Sequence, residues 1–153
     1  MLVAAAPAMS VVYATKPITV NGTYFPIGPP VYGVLRVAGE SDNAFMDVSI
    51  PLKWVGGIKG TCINEMRWII LHHDTPKEMT LIPGVMTFTN AEVDGKKGTL
   101  TIRYFNVETA EEFGGVWRII SGTGELANLH GEGTISVLSF PVFAYTGQIH
   151  FDP

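Results

Sequence analysis

Four arginines are the residues in this chain whose type and setting most invite chemistry. Arg36, Arg67, Arg103 and Arg118 each sit among apolar or aromatic neighbours, in Val34-Leu35-Arg36, Met66-Arg67-Trp68, Arg103-Tyr104-Phe105 and Trp117-Arg118-Ile119. The lysines fall mostly in turn-like stretches instead. A guanidinium held in a strand pairs with a carboxylate or lies over an aromatic ring. Pointing inward, one or two arginines would be the polar anchor of an otherwise apolar pocket. Asp47, Glu65, Glu92 and Tyr104 would be the partners, and a carboxylate buried beside such an arginine would be the acid/base group. Pointing outward, the same arginines would lay their stems over apolar surface and keep their heads in water. The ligand-binding candidates are therefore Glu65, Arg67, Trp68, Arg103, Tyr104, Phe105, Trp117 and Arg118; no catalytic residue is assigned.

Other groups carry less. Adjacent strand residues point to opposite faces, so His72 and His73 of His72-His73-Asp74 do not share an ion, and the triplet reads as a strand end entering a turn. His130 and Glu132 are two apart and share a face, which permits a general acid/base pair, but the further ligands of a cupin-type metal site are missing. Cys62 has no basic neighbour to lower its pKa and reads as a small buried hydrophobe. No metal or cofactor is expected.

Strands must position these residues. The chain of 153 residues holds 15 Val, 13 Ile and 14 Thr against 9 Leu and 11 Ala, and β-branched side chains suit a pleated surface. Its 17 Gly and 10 Pro cut it into short apolar pieces. Strands are predicted at 18–25, 31–38, 45–54, 58–73, 85–93, 98–107, 113–120, 133–138 and 143–152. Residues 79–84 show no clear pattern, and Pro51 marks an edge or bulge. Asp94-Gly95 is a hairpin signal between 85–93 and 98–107. About eight main strands is the number that closes a small antiparallel barrel.

Composition also excludes. With 46% hydrophobic and 16% charged residues and a net charge of -4, the chain is neither disordered nor basic enough for a nucleic-acid footprint. No apolar run reaches the ~18 residues of a membrane span. Met1 to Ala14 is apolar, rich in small residues and uncharged, and reads as a truncated secretion leader before a single domain over 15–153. The mature protein is then expected outside the cytoplasm; if Met1 to Ala14 is instead an ordinary first strand or a loose terminus, it is expected in the cytoplasm. Trp68-Ile69-Ile70-Leu71, Val116 to Ile120 and Ile135 to Phe143 are apolar on both faces, where a lone barrel in water should alternate. Either long loops cover those faces, or, as favoured here, a homo-oligomer packs barrel against barrel.

The segment from Gly115 to Gly133, with Gly122-Thr123-Gly124-Glu125-Leu126 and then Leu129 and Gly131, resembles an element of a family of small bacterial barrels of unknown function. That family is related to allene oxide cyclases and plant dirigent proteins. The hairpin before it and the closing Tyr145-Thr146-Gly147-Gln148-Ile149-His150-Phe151 are similar to the same barrel. The resemblance implies an all-β, closed antiparallel barrel. Read from the residues themselves, 125–129 holds one short helical turn, Leu126 and Leu129 at i,i+3 plug one barrel end, and Gly131 is a left-handed exit.

Three roles follow. The favoured one is binding of a small lipophilic molecule in a barrel cavity lined by Trp68, Tyr104, Phe105 and Trp117. A cyclase or isomerase that folds a flexible substrate into one conformer is the second, suggested by the resemblance. The third is a secreted structural or assembly protein whose barrel is filled by side chains.

Overall fold

Alternating side chains turn most of the chain into strands. The computed structural model describes residues 15–153; the leader reading falls on 1–14, outside the described residues. In chain order the strands are β1 (Ile18–Pro26), β2 (Val31–Tyr32), β3 (Arg36–Val37), β4 (Ala44–Gly56), β5 (Ile58–Leu71), β6 (Met79–Val93), β7 (Lys96–Glu108), β8 (Phe113–Gly122), β9 (Leu129–Ser139) and β10 (Val142–Phe151). A 3₁₀ turn, Gly124–Leu126, lies between β8 and β9. The long strands follow the order β1-β10-β9-β8-β7-β6-β5-β4, and β4 pairs back onto β1, so the all-β antiparallel barrel is closed. Closure removes the free edges that an open sheet would expose.

Several local expectations hold for the expected reasons. Asp94 and Gly95 both have positive φ (51° and 74°), as a two-residue type I′ hairpin requires. Pro51 lies on β4 beside the break between β1 and β2, where the Ile27 N–H donates to its carbonyl at 3.0 Å. Residues 31–38 form two short pieces along β4 instead of one strand. His72 ends β5 in a left-handed turn (φ 53°), and the two histidines go to separate carboxylates, His72 to Asp42 and His73 to Glu78. Leu126 and Leu129 are buried and close one end of the barrel. Gly131 does not act as a left-handed exit: it sits within β9, where a Cβ would lie 2.6 Å from the Ile149 side chain, and Gly124 supplies the positive φ.

The barrel interior is filled with rings. Trp54 stacks on Tyr24 at 4.8 Å, meets Tyr145 at 4.4 Å and contacts Phe88 edge-on at 5.7 Å. The Tyr145 hydroxyl accepts from the Ile58 N–H at 2.8 Å and lies 3.0 Å from the Ile58 carbonyl, tying β10 to the β4–β5 turn. Leu100, Ile102, Met86, Ile58, Val93 and Ile149 complete this end. Burial of so many large side chains, each worth about 1.5–3 kcal/mol, dominates the stability.

Across one interior row, Gly84 of β6 faces Tyr104 of β7, which faces Trp117 of β8. A Cβ at Gly84 would lie 2.3 Å from the Tyr104 ring. Gly84→Val should therefore overpack the row at a cost of about 1–3 kcal/mol, a fall in Tm of roughly 3–10 °C. A circular-dichroism melt checks this, and an unchanged Tm would show that the ring can move aside.

Candidate functional site

The chemistry-bearing positions divide by strand parity. On β7, Leu100, Ile102, Tyr104 and Asn106 point inward, leaving Arg103 and Phe105 on the outer wall. On β8, Trp117 and Ile119 point inward and Arg118 outward. On β5, Cys62, Asn64, Met66 and Trp68 face in, and Glu65 and Arg67 face out. The arginines therefore do not anchor a pocket inside the barrel, and Phe105 does not line one. Tyr104 and Trp117 belong to the packed interior, and Trp68 sits half-buried toward the open end.

Inside, the polar groups form a small cluster in the half away from Leu126. The Tyr104 hydroxyl donates to Asn64 Oδ1 at 2.9 Å. Asn64 Nδ2 and Trp68 Nε1 both approach the Met66 sulfur, at 3.9 and 3.4 Å. Asn106 is 3% exposed, and its Oδ1 is buried without a hydrogen-bond partner among the described residues. It lies opposite Gly115, where a Cβ would fall 2.0 Å from Oδ1, so glycine is what leaves room for the amide. Trp54 Nε1 is a second buried group without a partner.

Above this cluster the rings continue to the end of the barrel. Phe143 stacks on Tyr24 at 5.1 Å and packs against Phe113 at 5.1 Å and the exposed Phe140 at 6.3 Å. Trp68 meets Tyr32 edge-on at 6.0 Å. Ile50, Met66, Trp68, Phe113 and Phe143 are only partly buried against the core. Partly buried rings cover this end, in contrast to the fully buried Leu126 at the other.

Burial sets the protonation of the interior. It pushes the Cys62 thiol up to about 12, and it raises the Tyr24 and Tyr104 phenols well above the ordinary tyrosine range. Desolvation is the main cause for both phenols, with Tyr104 adding to the rise at Tyr24 and the Asn64 hydrogen bond opposing it at Tyr104. Among the described residues the interior offers neutral hydroxyl and amide groups and no buried carboxylate. Asn64, Asn106 and Tyr24 were not among the residues expected at a site. Their signal in the sequence is faint: an asparagine at the apolar parity of a strand, in Ile63-Asn64-Glu65 and Phe105-Asn106-Val107.

The outer wall gathers the charged candidates. Glu65, Arg67, Arg103, Phe105 and Arg118 line an open groove of about 1630 Å³ running from β2 and β4 across to β9, to which Tyr104 and Trp117 also contribute. Arg67 donates to Asp47 at 2.7 Å, and Arg36 reaches the same carboxylate at 3.4 Å. The hydrogen bond from Arg67 holds the Asp47 carboxyl below its usual range. Glu92 pairs with Lys59 at 3.4 Å, away from the groove. His130 and Glu132 form no pair; His130 stacks on His150 and bonds Asp152 at 3.0 Å.

The chain is an all-β, closed antiparallel barrel with Leu126 plugging one end. The profile of the family described as "Protein of unknown function (DUF3224)" matches residues 36–140, and the chain belongs to that family. A DUF3224 protein of unknown function from Shewanella oneidensis MR-1 superposes with a TM-score of 0.64 at 15% identity, over 90% of this chain and 99% of that one. A dirigent protein described as a pterocarpan synthase superposes with a TM-score of 0.50 at 17% identity, over 99% and 98%. At these identities the likeness is one of fold. No curated protein matches the chain. Among the described residues no helix is long and apolar enough to cross a membrane.

Proposed function

We propose that the barrel binds one small, mostly apolar molecule at its aromatic mouth, with a hydroxyl or N–H group of that molecule donating to Asn106 Oδ1. The observation that carries this reading is the unpartnered Asn106 oxygen. A buried polar atom without a partner costs about 1–3 kcal/mol, and such atoms call for a specific explanation. Trp68, Phe113 and Phe143 supply apolar surface beside it, and Tyr104 and Asn64 supply further neutral polar groups. This is the usual composition of a ligand site: mostly apolar lining with a few placed polar groups.

Binding is favoured over a proton-transferring isomerase by the state of the interior groups, and substrate turnover separates binding from a cyclase that works by conformational control alone. Moving a proton needs a group with a pKa near the working pH. Cys62, Tyr24 and Tyr104 are all held in their protonated forms. The rings packed around Trp54 fill the other half, so the ligand's place in this reading is the end near Trp68, where the sequence suggested a cavity lined by Trp68, Tyr104, Phe105 and Trp117.

Asn106→Leu tests the reading. Removing an unsatisfied polar atom in favour of an apolar one of similar size is nearly neutral or stabilising. The variant should keep or raise its Tm; a small molecule is expected in solvent extracts of the wild type and is expected to be lost from those of the variant. Equal extracts from both proteins would contradict the assignment.

A further inference from the structure

The outer wall carries an arrangement that the mouth does not use. Strand register places one row of outward residues side by side: Glu65 (β5), Val85 (β6), Arg103 (β7), Arg118 (β8) and Glu132 (β9). Arg103 and Arg118 are direct cross-strand partners. Like charges placed directly opposite one another destabilise a sheet. Among the described residues the ion pairs use Arg36, Arg67, Lys59 and the histidines; Arg103, Arg118, Glu65 and Glu132 take part in none. Beside the row, Phe105, Val116 and Ile120 are 43%, 56% and 44% exposed. No loop covers them among the described residues, although a water-facing barrel wall should be polar there.

We propose that this wall is the contact surface for a second copy of the same chain. Phe105, Val116 and Ile120 form the dry centre, and the arginine pair of each copy meets carboxylates of the other. Two observations select this occupant. The face holds two unpaired cations and two unpaired anions, which makes it complementary to itself, and an isologous contact demands that. The Glu65 and Glu132 carboxylates flanking the arginines work against a small anion as the occupant. The groove, at about 1630 Å³ and open, also exceeds the ~300–1,000 Å³ of ordinary small-molecule pockets. From β4 to β9 it follows the wall through five of the closed barrel's eight inter-strand gaps, so the part that faces one partner is centred on β7 and β8. An apolar centre with arginine enriched around it is ordinary interface anatomy. This inference is independent of the mouth and of Asn106.

Sedimentation velocity on the full chain tests it with two doubly reversed variants, Arg103→Glu/Arg118→Glu and Glu65→Arg/Glu132→Arg. The wild type should sediment at twice the 16.6 kDa chain mass. Each variant alone should be monomeric with an unchanged circular-dichroism spectrum, because all four side chains are on the outside. An equimolar mixture of the two should recover the dimer. A monomeric or trimeric wild type, dimers that persist in both variants, or a mixture that stays monomeric would overturn the proposal. A monomeric wild type that binds inorganic phosphate at the arginine pair would do the same and would assign the face to anions.

Discussion

Leu126→Asp is expected to abolish folding. Leu126 is completely buried, on the 3₁₀ turn that crosses the end of the barrel. It packs where β7 and β8 carry glycines: a Cβ at Gly98 or Gly122 would lie 3.4 or 3.3 Å from Leu126 Cβ. Loss of the leucine side chain alone costs about 2–5 kcal/mol. Burying a carboxylate with no partner adds several kcal/mol more. Together these match a total stability of about 5–15 kcal/mol. Leu126→Ala should remain folded with a lowered Tm, which separates the lost packing from the buried charge. A Leu126→Asp protein that melts like the wild type would refute the plug.

The second large effect is alkaline unfolding. Burial raises the Cys62 thiol from 9.0 to about 12 and lifts the Tyr24 and Tyr104 phenols far above 10.0. In the unfolded chain these groups ionise near their ordinary values, so above those values the unfolded state releases protons that the folded state keeps. A raised folded pKa means that the contribution to stability is complete below the unfolded pKa. It is lost as pH climbs toward the folded one. Each group loses about 1.4 kcal/mol per pH unit in that window. By about pH 11 the three together remove roughly 5 kcal/mol, enough to unfold a domain of ordinary stability. Urea titrations near neutral pH and near pH 11 measure the loss. Phenolate absorbance from the buried tyrosines should appear together with unfolding. Its appearance near pH 10 with the fold intact would mean that water reaches Tyr24 and Tyr104.

The strands were legible because alternation and punctuation dominate their formation, and Asp94-Gly95 named its own turn. Residues 79–84 were opaque for a physical reason. Pro83 and Gly84 interrupt the apolar pattern, yet they lie within β6, Pro83 opposite Phe105 and Gly84 making room for the Tyr104 ring. The direction of the arginines could not be read from their neighbours, since a strand arginine suits either face. It is decided by Tyr104 and Trp117, which take the inward positions next to Arg103 and Arg118. Irregularities in register add to this: the β6–β7 pairing shifts between Phe88 and Ala91, so the buried positions pass from even to odd numbers. The polar interior leaves little trace in the sequence, because Asn64, Asn106, Tyr24 and Tyr104 are neutral and sit at positions of apolar parity. The two-faced apolar strands did report something real, as the exposure of Val116, Ile120 and Phe140 on the finished barrel demonstrates.

Native mass spectrometry of the wild-type protein, purified gently from its own cells, tests the central claim most directly. The account predicts one small-molecule adduct per barrel, absent from Asn106→Leu purified in the same way. Barrels at the bare chain mass in both preparations would contradict it and would leave Asn106 as a polar atom that the fold tolerates without a ligand.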